Sequence, residues 1–174
     1  MSTSTIHVTR ADQGEHWIVG TDVITVRASG RHTSGNLLVV EVTVPPGGGP
    51  PLMHRHAYAE AFLFQEGDFE VSTADEDYVA STHEVGAGDA VSIPSMVWHN
   101  FKNVGEDAGR FIAVHSPAVM EDFVKEIGQK IEDPENPPAP GGPPTEEEMR
   151  GMMEVVGRYM EVLPPEKIRQ EVGR

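Results

Sequence analysis

Short apolar stretches separated by turn residues run along the chain from residue 17 to residue 116. Valine, isoleucine and phenylalanine dominate these stretches, and glycine or proline stands at many of their ends. Such stretches are typical of β-strands, because β-branched and aromatic residues fit a half-buried pleated surface. The predicted strands lie at 17–19, 22–27, 37–44, 60–65, 69–72, within 78–85, and at 90–93, 98–103 and 110–115. Strands that recur at roughly ten-residue spacing between turn signals indicate an all-β sandwich or barrel.

The pattern becomes helical after Pro117. Residues 118–131 carry apolar side chains three or four positions apart, which predicts an amphipathic helix. Residues 133–144 are dominated by proline and glycine, and such a segment holds neither a helix nor a strand ladder. We therefore expect a β-barrel domain with N-terminal strands at residues 1–116, followed by a helical appendage at residues 117–174.

A second helix is predicted after the proline-rich linker. Thr145 and Glu148 have the form of a capping box, in which each side chain bonds the other residue's backbone N–H. Pro164 is expected to end this helix. Its apolar stripe consists of Met149, Met152, Met153, Val156, Met160 and Leu163. We interpret the stripe as packing against the barrel or a partner subunit, with a lid or substrate contact as the alternative.

The charge balance narrows the possible partners. The chain has 28 Asp and Glu residues against 13 Lys and Arg residues, and a net charge of -15. A protein that binds nucleic acid needs a cationic face to displace counterions, so we expect no nucleic-acid partner. Anionic membrane surfaces are disfavoured for the same reason. No apolar run approaches the roughly 20 residues of a membrane span, and we expect a cytoplasmic protein.

Candidate metal ligands stand in two separate stretches. His54 and His56 are two residues apart, so on a strand their side chains point to the same face. Glu60 falls on that face if the chain stays extended, and His99 supplies a possible fourth ligand. Two imidazoles and a carboxylate on one wall suit a divalent metal, whereas the alternative is a set of ordinary surface histidines. The chain contains no cysteine, so thiolate ligands and disulfides are excluded.

These stretches resemble the two conserved motifs of the cupin superfamily. The first motif has the form Gly, five residues, His-x-His, three or four residues, Glu, six residues, Gly. It is matched here by Gly48, His54, His56, Glu60 and Gly67. The second motif is matched by Gly88, Pro94, His99 and Asn103. The chain departs from the second motif at one position, where Met96 stands in place of the glycine that is usual in the family. A residue other than glycine there is expected to avoid positive φ and to change the turn locally.

The resemblance implies both the fold and the ligand set. It implies a double-stranded β-helix, or jelly-roll barrel, with C-terminal α-helices appended. It also implies one divalent metal ion (Fe, Ni, Mn, Co, Cu or Zn) held by His54, His56, Glu60 and His99. A single motif pair is typical of a monocupin, and such proteins are often homodimers. The C-terminal part is loosely similar to quercetinase-like cupins.

The expected activity is a metal-dependent dioxygenation of a small aromatic or enolisable substrate, with Glu60 as catalytic residue. The alternatives are a metal-dependent isomerase or lyase, and a cupin that binds a metal or small ligand without catalysis. The predicted substrate pocket is lined by Met53, Tyr58, Phe62, Phe64, Trp98, Phe101 and His115. For each of these residues the alternative is packing within the barrel.

Overall fold

The computed structural model describes residues 6–139, 142 and 144–170, apart from the side chain of Gln170. Over these residues the strands are β1 (Glu15–Val19), β2 (Asp22–Ala28), β3 (Leu38–Val44), β4 (His54–Arg55), β5 (Ala59–Glu66), β6 (Asp68–Ala74), β7 (Val79–Gly86), β8 (Ala90–Ile93), β9 (Trp98–Asn103), β10 (Gly109–Ser116), β11 (Gln129–Ile131), β12 (Glu161–Val162) and β13 (Arg169–Gln170). The α-helices are α1 (Met120–Ile127) and α2 (Glu146–Tyr159), and 3-10 helices lie at Gly30–His32 and Pro165–Lys167. None of the helices in these ranges has the length and hydropathy needed to cross a bilayer.

The strands form two sheets that enclose one core. The larger sheet has the order β11-β1-β2-β3-β10-β5-β8, and the smaller has the order β12-β4-β9-β6-β7-β13. All pairs are antiparallel except β7 with β13. The nine strands predicted from the sequence are confirmed as β1 to β3 and β5 to β10. The molecule is therefore the all-β jelly roll with C-terminal helices that the sequence indicated.

Alternation of apolar residues along the strands builds the core between the sheets. In β3, Leu38, Val40, Val42 and Val44 point inward and are buried, while the residues between them are half-buried. Fully burying one such side chain contributes about 1.5–3 kcal/mol to folding. The inner faces of β5, β6 and β10 add a cluster of aromatic rings: Phe62, Phe64, Phe69 and Phe111. This core fixes the strands that carry the candidate ligands.

The helix predicted over 118–131 is shorter than expected. It ends at Ile127, and Gly128 takes an extended conformation. A Cβ on Gly128 would lie 2.5 Å from the carbonyl oxygen of Val124, so only glycine allows the chain to turn there. The following residues pair with β1 as strand β11, and Ile131 is buried in that sheet rather than on a helix face.

The second helix begins as predicted, but only part of its predicted apolar stripe packs on the core. Its capping box is present, with the Thr145 hydroxyl accepting from the Glu148 amide and the Glu148 carboxylate accepting from the Thr145 amide. The residues that pack half-buried against the core are Val155, Val156, Tyr159 and Met160. Met149, Met152 and Met153 are 39–46% exposed, so of the predicted stripe only Val156 and Met160 pack on the barrel core. Packing of the three methionines against a partner subunit stays a prediction. The helix ends before Leu163, which packs elsewhere.

A buried carboxylate supports the loop that precedes β4. Asp22 is buried, and its Oδ1 accepts hydrogen bonds from the Gly49 amide and the Thr21 hydroxyl. Burial raises the pKa of Asp22 to about 6, although these two hydrogen bonds oppose the shift. A carboxyl whose pKa is raised by folding stabilises the fold below its ordinary pKa. That contribution is lost as the pH rises through about 6.

We expect Asp22→Asn to stabilise the protein increasingly between pH 4 and pH 8. The amide keeps the Oδ1 acceptor but cannot ionise, so it avoids burying a charge. The free energy of unfolding should gain up to about 3 kcal/mol relative to the parent at pH 8, at about 1.36 kcal/mol per pKa unit. Denaturant unfolding at three pH values measures this gain, with the exposed Asp77→Asn as control. A gain that does not grow with pH would contradict the assignment.

The turn before β9 adopts the glycine conformation despite carrying methionine. Met96 has φ 64°, so the expectation that it avoids positive φ is wrong. Its amide donates to the carbonyl of His56 at 2.8 Å, and the Ser95 hydroxyl donates to the carbonyl of Ala57. These bonds hold the tight turn in place, and the Met96 side chain is 42% exposed and meets no steric conflict.

Met96→Gly is expected to stabilise the fold by up to about 1 kcal/mol. A left-handed conformation costs an L-residue roughly 1–2 kcal/mol, and the greater flexibility of glycine in the unfolded chain offsets part of the gain. Thermal unfolding should show a melting temperature higher by roughly 2–4 °C. Met96→Ala removes the same side chain but keeps Cβ, so it should show no such rise. Equal melting temperatures for the two variants would refute the strain argument.

Candidate metal centre

Strand pairing brings the two histidine-bearing stretches together. His54 in β4 lies directly opposite His99 in β9. His56 follows β4 on the same side of the chain, while Arg55 between them points to the other side and lies over the Trp98 ring. The centroid of the His99 ring lies 4.5 Å from that of His54 and 5.0 Å from that of His56.

Each of the three rings is oriented by a backbone carbonyl two residues away. His54 Nδ1 donates to the carbonyl of Leu52 at 3.1 Å. His56 Nδ1 donates to that of Tyr58 at 3.0 Å, and His99 Nδ1 donates to that of Val97 at 2.8 Å. A carbonyl oxygen can only accept, so the proton sits on Nδ1 in each ring. Nε2 is therefore the nitrogen of each ring that is left to bind a metal, and metal-binding histidines are commonly oriented in this way.

The three imidazoles converge on one point. One ligand nitrogen from each of His54, His56 and His99 lies within 4.8 Å of the other two. A triangle with sides no longer than 4.8 Å fits in a circle of radius about 2.8 Å, which is close to the ~2.0–2.1 Å length of an imidazole–metal bond. Burial and, to a smaller extent, the nearby His99 lower the pKa of His54 to about 4, so this ring stays neutral.

Glu60 borders the same point from strand β5. Its Oε1 contacts His56 Nε2 and lies 3.3 Å from His99 Nε2, and its side chain is only 5% exposed. Burial raises the pKa of Glu60, whereas a proton on the His56 or His99 nitrogen, or a cation in its place, holds that pKa below its ordinary value. The carboxylate oxygen and the two imidazole nitrogens therefore need a positive charge between them.

The donor atoms of this cluster fit a divalent cation. Three imidazole nitrogens lie together, a Glu60 oxygen stands beside those of His56 and His99, and His99 Nε2 is buried without a hydrogen-bond partner among the described residues. Such a set of electron-rich atoms is costly to bury unless a positive charge lies between them. Nitrogen and oxygen ligands without sulfur suit Mn, Fe, Co, Ni, Cu or Zn, and they do not select among these metals. We therefore identify the cluster as a candidate metal centre.

Two of the predicted pocket residues adjoin this centre. The Tyr58 ring stacks on His56 with centroids 3.6 Å apart, and its hydroxyl donates to the Met120 sulfur at 3.2 Å. Burial and the charge of Glu60 raise the pKa of Tyr58, so the phenol keeps its proton. His115 lies opposite Glu60 in the β5–β10 pair, with its Nδ1 3.7 Å from Glu60 Oε2. Helix α1 is thus connected to the centre through Met120, which sequence analysis missed because its side chain reaches Tyr58 from a distant element.

The other predicted pocket residues divide between the core enclosed by the two sheets and the outer face of the smaller sheet. Phe62, Phe64 and Phe101 lie on the inner side and pack with other aromatic rings, as the packing alternative expected. Met53 and Trp98 belong to a separate cluster with Ala74 and Leu163. Each directly precedes a ligand in the chain, and each packs on the outer face of the smaller sheet; their role toward a substrate stays a prediction. The role of the remaining residues toward a substrate stays a prediction.

The non-ligand residues of the motifs fasten the two motifs to each other. The amide of Asn103 donates to the carbonyl of Gly48 at 3.0 Å, and the amide of Gly47 donates to the carbonyl of Asn103. The fully buried Asn103 side chain also donates to the carbonyl of Val44 at 2.8 Å. A Cβ at Gly49 would lie 2.2 Å from the carbonyl oxygen of Phe101, so glycine is required for this close approach. These contacts keep β4 beside β9.

Comparisons with known proteins agree with this architecture. The Cupin_2 family, described as a cupin domain, matches residues 40–115. No curated protein matches the chain. An RmlC-like cupin from Shewanella frigidimarina is 26% identical, with a TM-score of 0.55 over 69% of this chain and 97% of that chain.

Two enzymes also share the fold at lower identity. The polyketide cyclase RemF from Streptomyces resistomycificus is 20% identical, with a TM-score of 0.56 over 64% of this chain and 80% of that one. Oxalate decarboxylase from Bacillus subtilis, a protein with Mn(II) centres, is 24% identical, with a TM-score of 0.52 over 60% of this chain. The chain matches 28% of the length of that decarboxylase. The family match, the two motifs and the jelly-roll sheets together show that residues 40–115 of this chain form a cupin domain.

Proposed function

We propose that this chain is a metal-dependent enzyme that carries out dioxygenation of a small aromatic or enolisable substrate. The observation that carries the proposal is the convergence of three imidazole Nε2 atoms beside the Glu60 carboxylate. His54, His56 and His99 would hold a divalent ion, with Glu60 as a fourth ligand. One negative charge against a divalent ion leaves a net charge of +1, which favours an anionic oxygen of a substrate at the remaining coordination positions.

The exposure of the ligands indicates where a substrate would enter. His56, Glu60 and His99 are buried, whereas His54 is half-buried at the end of the barrel. A substrate that approaches past His54 would meet the centre first and the aromatic rings of the core behind it. Neighbouring apolar walls exclude water, which strengthens the electrostatic interactions inside the site. This arrangement suits a flat, largely apolar molecule with one ionisable oxygen.

Glu60 is the residue that would handle a proton. Its Oε1 faces the histidine cluster and its Oε2 faces His115. Oε2 can therefore accept the proton of an enol or phenol, and His115 Nδ1 lies 3.7 Å from it. Burial lowers the pKa of His115, so this ring adds no positive charge near pH 7.

The overall reaction needs no further reductant. In a dioxygenation both atoms of O₂ enter the organic product, so O₂ is the oxidant and the substrate supplies the electrons. A redox-active divalent ion would supply the interaction with O₂, whereas a redox-inert ion would act only as a Lewis acid. The dependence on oxygen and on the metal therefore separates a dioxygenase from an isomerase or lyase with the same ligands.

His99→Ala is expected to lower the metal affinity by at least about ten-fold. Loss of a residue that only supports a ligand commonly costs 10–100-fold, and loss of a ligand should cost no less. Elemental analysis of protein purified without a nickel column measures the metal content directly. His83→Ala, at an exposed position of β7, serves as the control and should keep the parental content. Unchanged metal content in His99→Ala would contradict the proposed ligand set.

Substrate turnover should consume O₂ only when a redox-active metal is bound. We expect oxygen uptake with flavonol-like or diketone compounds after loading with Fe, Ni or Mn, and none after chelation or with Zn. An oxygen electrode and product mass spectrometry with ¹⁸O₂ measure uptake and incorporation. Turnover without oxygen in the presence of Zn or Mn would instead indicate an isomerase or lyase. Metal binding without turnover of any compound would indicate a binding protein.

A further inference from the structure

We propose that the C-terminal strap, defined here as residues 161–168, is part of the frame of the metal centre. The binding of metal and the docking of the strap are then coupled. This inference rests on the proposed function only in requiring that the histidine cluster binds a divalent metal. It concerns a segment that contributes no ligand and lies outside the cupin match at residues 40–115.

The strand that carries His54 depends on the strap for half of its pairing. Strand β4 is two residues long. In the described part of the chain it pairs with β9 on one side, through His54 and His99 alone, and with β12 of the strap on the other. Val162 lies opposite His54 in that second pair. Without the strap, His54 would keep one pairing contact and its ring would be held less firmly.

An apolar anchor fastens the strap directly beside this strand. The amide of Leu163 donates to the carbonyl of Met53 at 2.8 Å. The Leu163 side chain is 1% exposed and packs with Met53, Trp98 and Ala74 on the outer face of the smaller sheet. Met53 precedes His54 and Trp98 precedes His99, so one buried leucine contacts the neighbours of two ligands.

Charged contacts align the strap rather than bind it strongly. Arg55 donates to Glu161 Oε2 from Nε at 2.8 Å and from a terminal nitrogen at 2.6 Å. The same guanidinium lies 4.3 Å from the centre of the Trp98 ring. Both ionic side chains are partly exposed, so the pair contributes little to stability but sets the register of β12 against β4.

The strap crosses the whole outer face of the smaller sheet. Its start pairs with β4 at one edge, and the strand that follows it, β13, pairs with β7 at the other edge. The amide of Arg169 donates to the carbonyl of Tyr78 at 2.8 Å, and Ile168 packs on the outer cluster. The strap is therefore held at both ends and passes behind the strands that carry His54 and His99.

Metal binding and docking of the strap are coupled because the centre has a different geometry when the strap is docked and when it is detached. With the strap docked, the three imidazoles converge as described. With the strap detached, His54 is less constrained, so a metal binds the docked state more tightly. A ligand shifts an equilibrium by its differential affinity for the two states, and linkage makes the effect reciprocal. Metal must then also stabilise the docked strap.

The full-length variant Leu163→Ala tests this coupling with Co(II) alone as the probe. We expect Co(II) to bind at least about ten-fold more weakly than to the parent, the scale seen when a supporting residue of a ligand is lost. Ile131→Ala is the matched control, because it removes a buried side chain from β11 in the other sheet. Its Co(II) affinity should stay within about two-fold of the parent, with circular dichroism confirming that both variants are folded.

Limited proteolysis of the unmodified protein gives a second readout that needs no variant. Lys167 and Arg169 are exposed trypsin sites at the far end of the strap. Co(II) should slow cleavage after them by about ten-fold, measured by mass spectrometry, while cleavage elsewhere changes less. Equal Co(II) affinity in parent and Leu163→Ala, or unchanged cleavage with Co(II) bound, would overturn the coupling alone. Absence of Co(II) binding to the parent would overturn the proposed function itself.

Discussion

The candidate centre depends on a hydrogen bond repeated three times, from an imidazole Nδ1 to a carbonyl oxygen two residues away in the chain. In His54, His56 and His99 this bond fixes the tautomer and points the opposite nitrogen inward. Each bond is local, but the meeting of the three nitrogens is tertiary, because β4 and β9 are far apart in sequence. The barrel therefore supplies the distances, and the local backbone supplies the directions. Both are needed before a cation can bind with several ligands at once.

The same distinction between local and tertiary contributions explains what the sequence could predict. The alternation in β3 and the spacing of the two motifs identify the fold and the ligands, since period and spacing are local properties. The side on which Met53 and Trp98 lie was also readable, because each alternates with a ligand. Strand β11 was not readable, since Ile131 suits a helix face or a sheet equally and pairing with β1 decides between them. The exposure of the α2 methionines likewise depends on which face of the helix packs on the core.

Support for the centre comes from several layers behind the ligands. Gly48 and Asn103 join the two motifs through backbone hydrogen bonds, and the buried Asp22 holds the loop before β4. The turn at Met96 accepts an unfavourable backbone conformation to bond the His56 carbonyl. The buried carboxyl of Asp22 and the backbone strain at Met96 each cost free energy by themselves. Functional regions commonly contain groups that lower the stability of the fold locally.

The short strands β12 and β13 have a consequence beyond the centre. At the two edges of the smaller sheet, β12 pairs with β4 and β13 pairs with the first two residues of β7, and each is two residues long. An uncovered edge presents a row of free amides and carbonyls that can pair with another molecule, and long exposed edges promote aggregation. By ending the sheet in such short pieces, the C-terminal region limits this self-association. A chain cut after α2 would expose β4 and β7 and would be expected to lose solubility as well as rigidity.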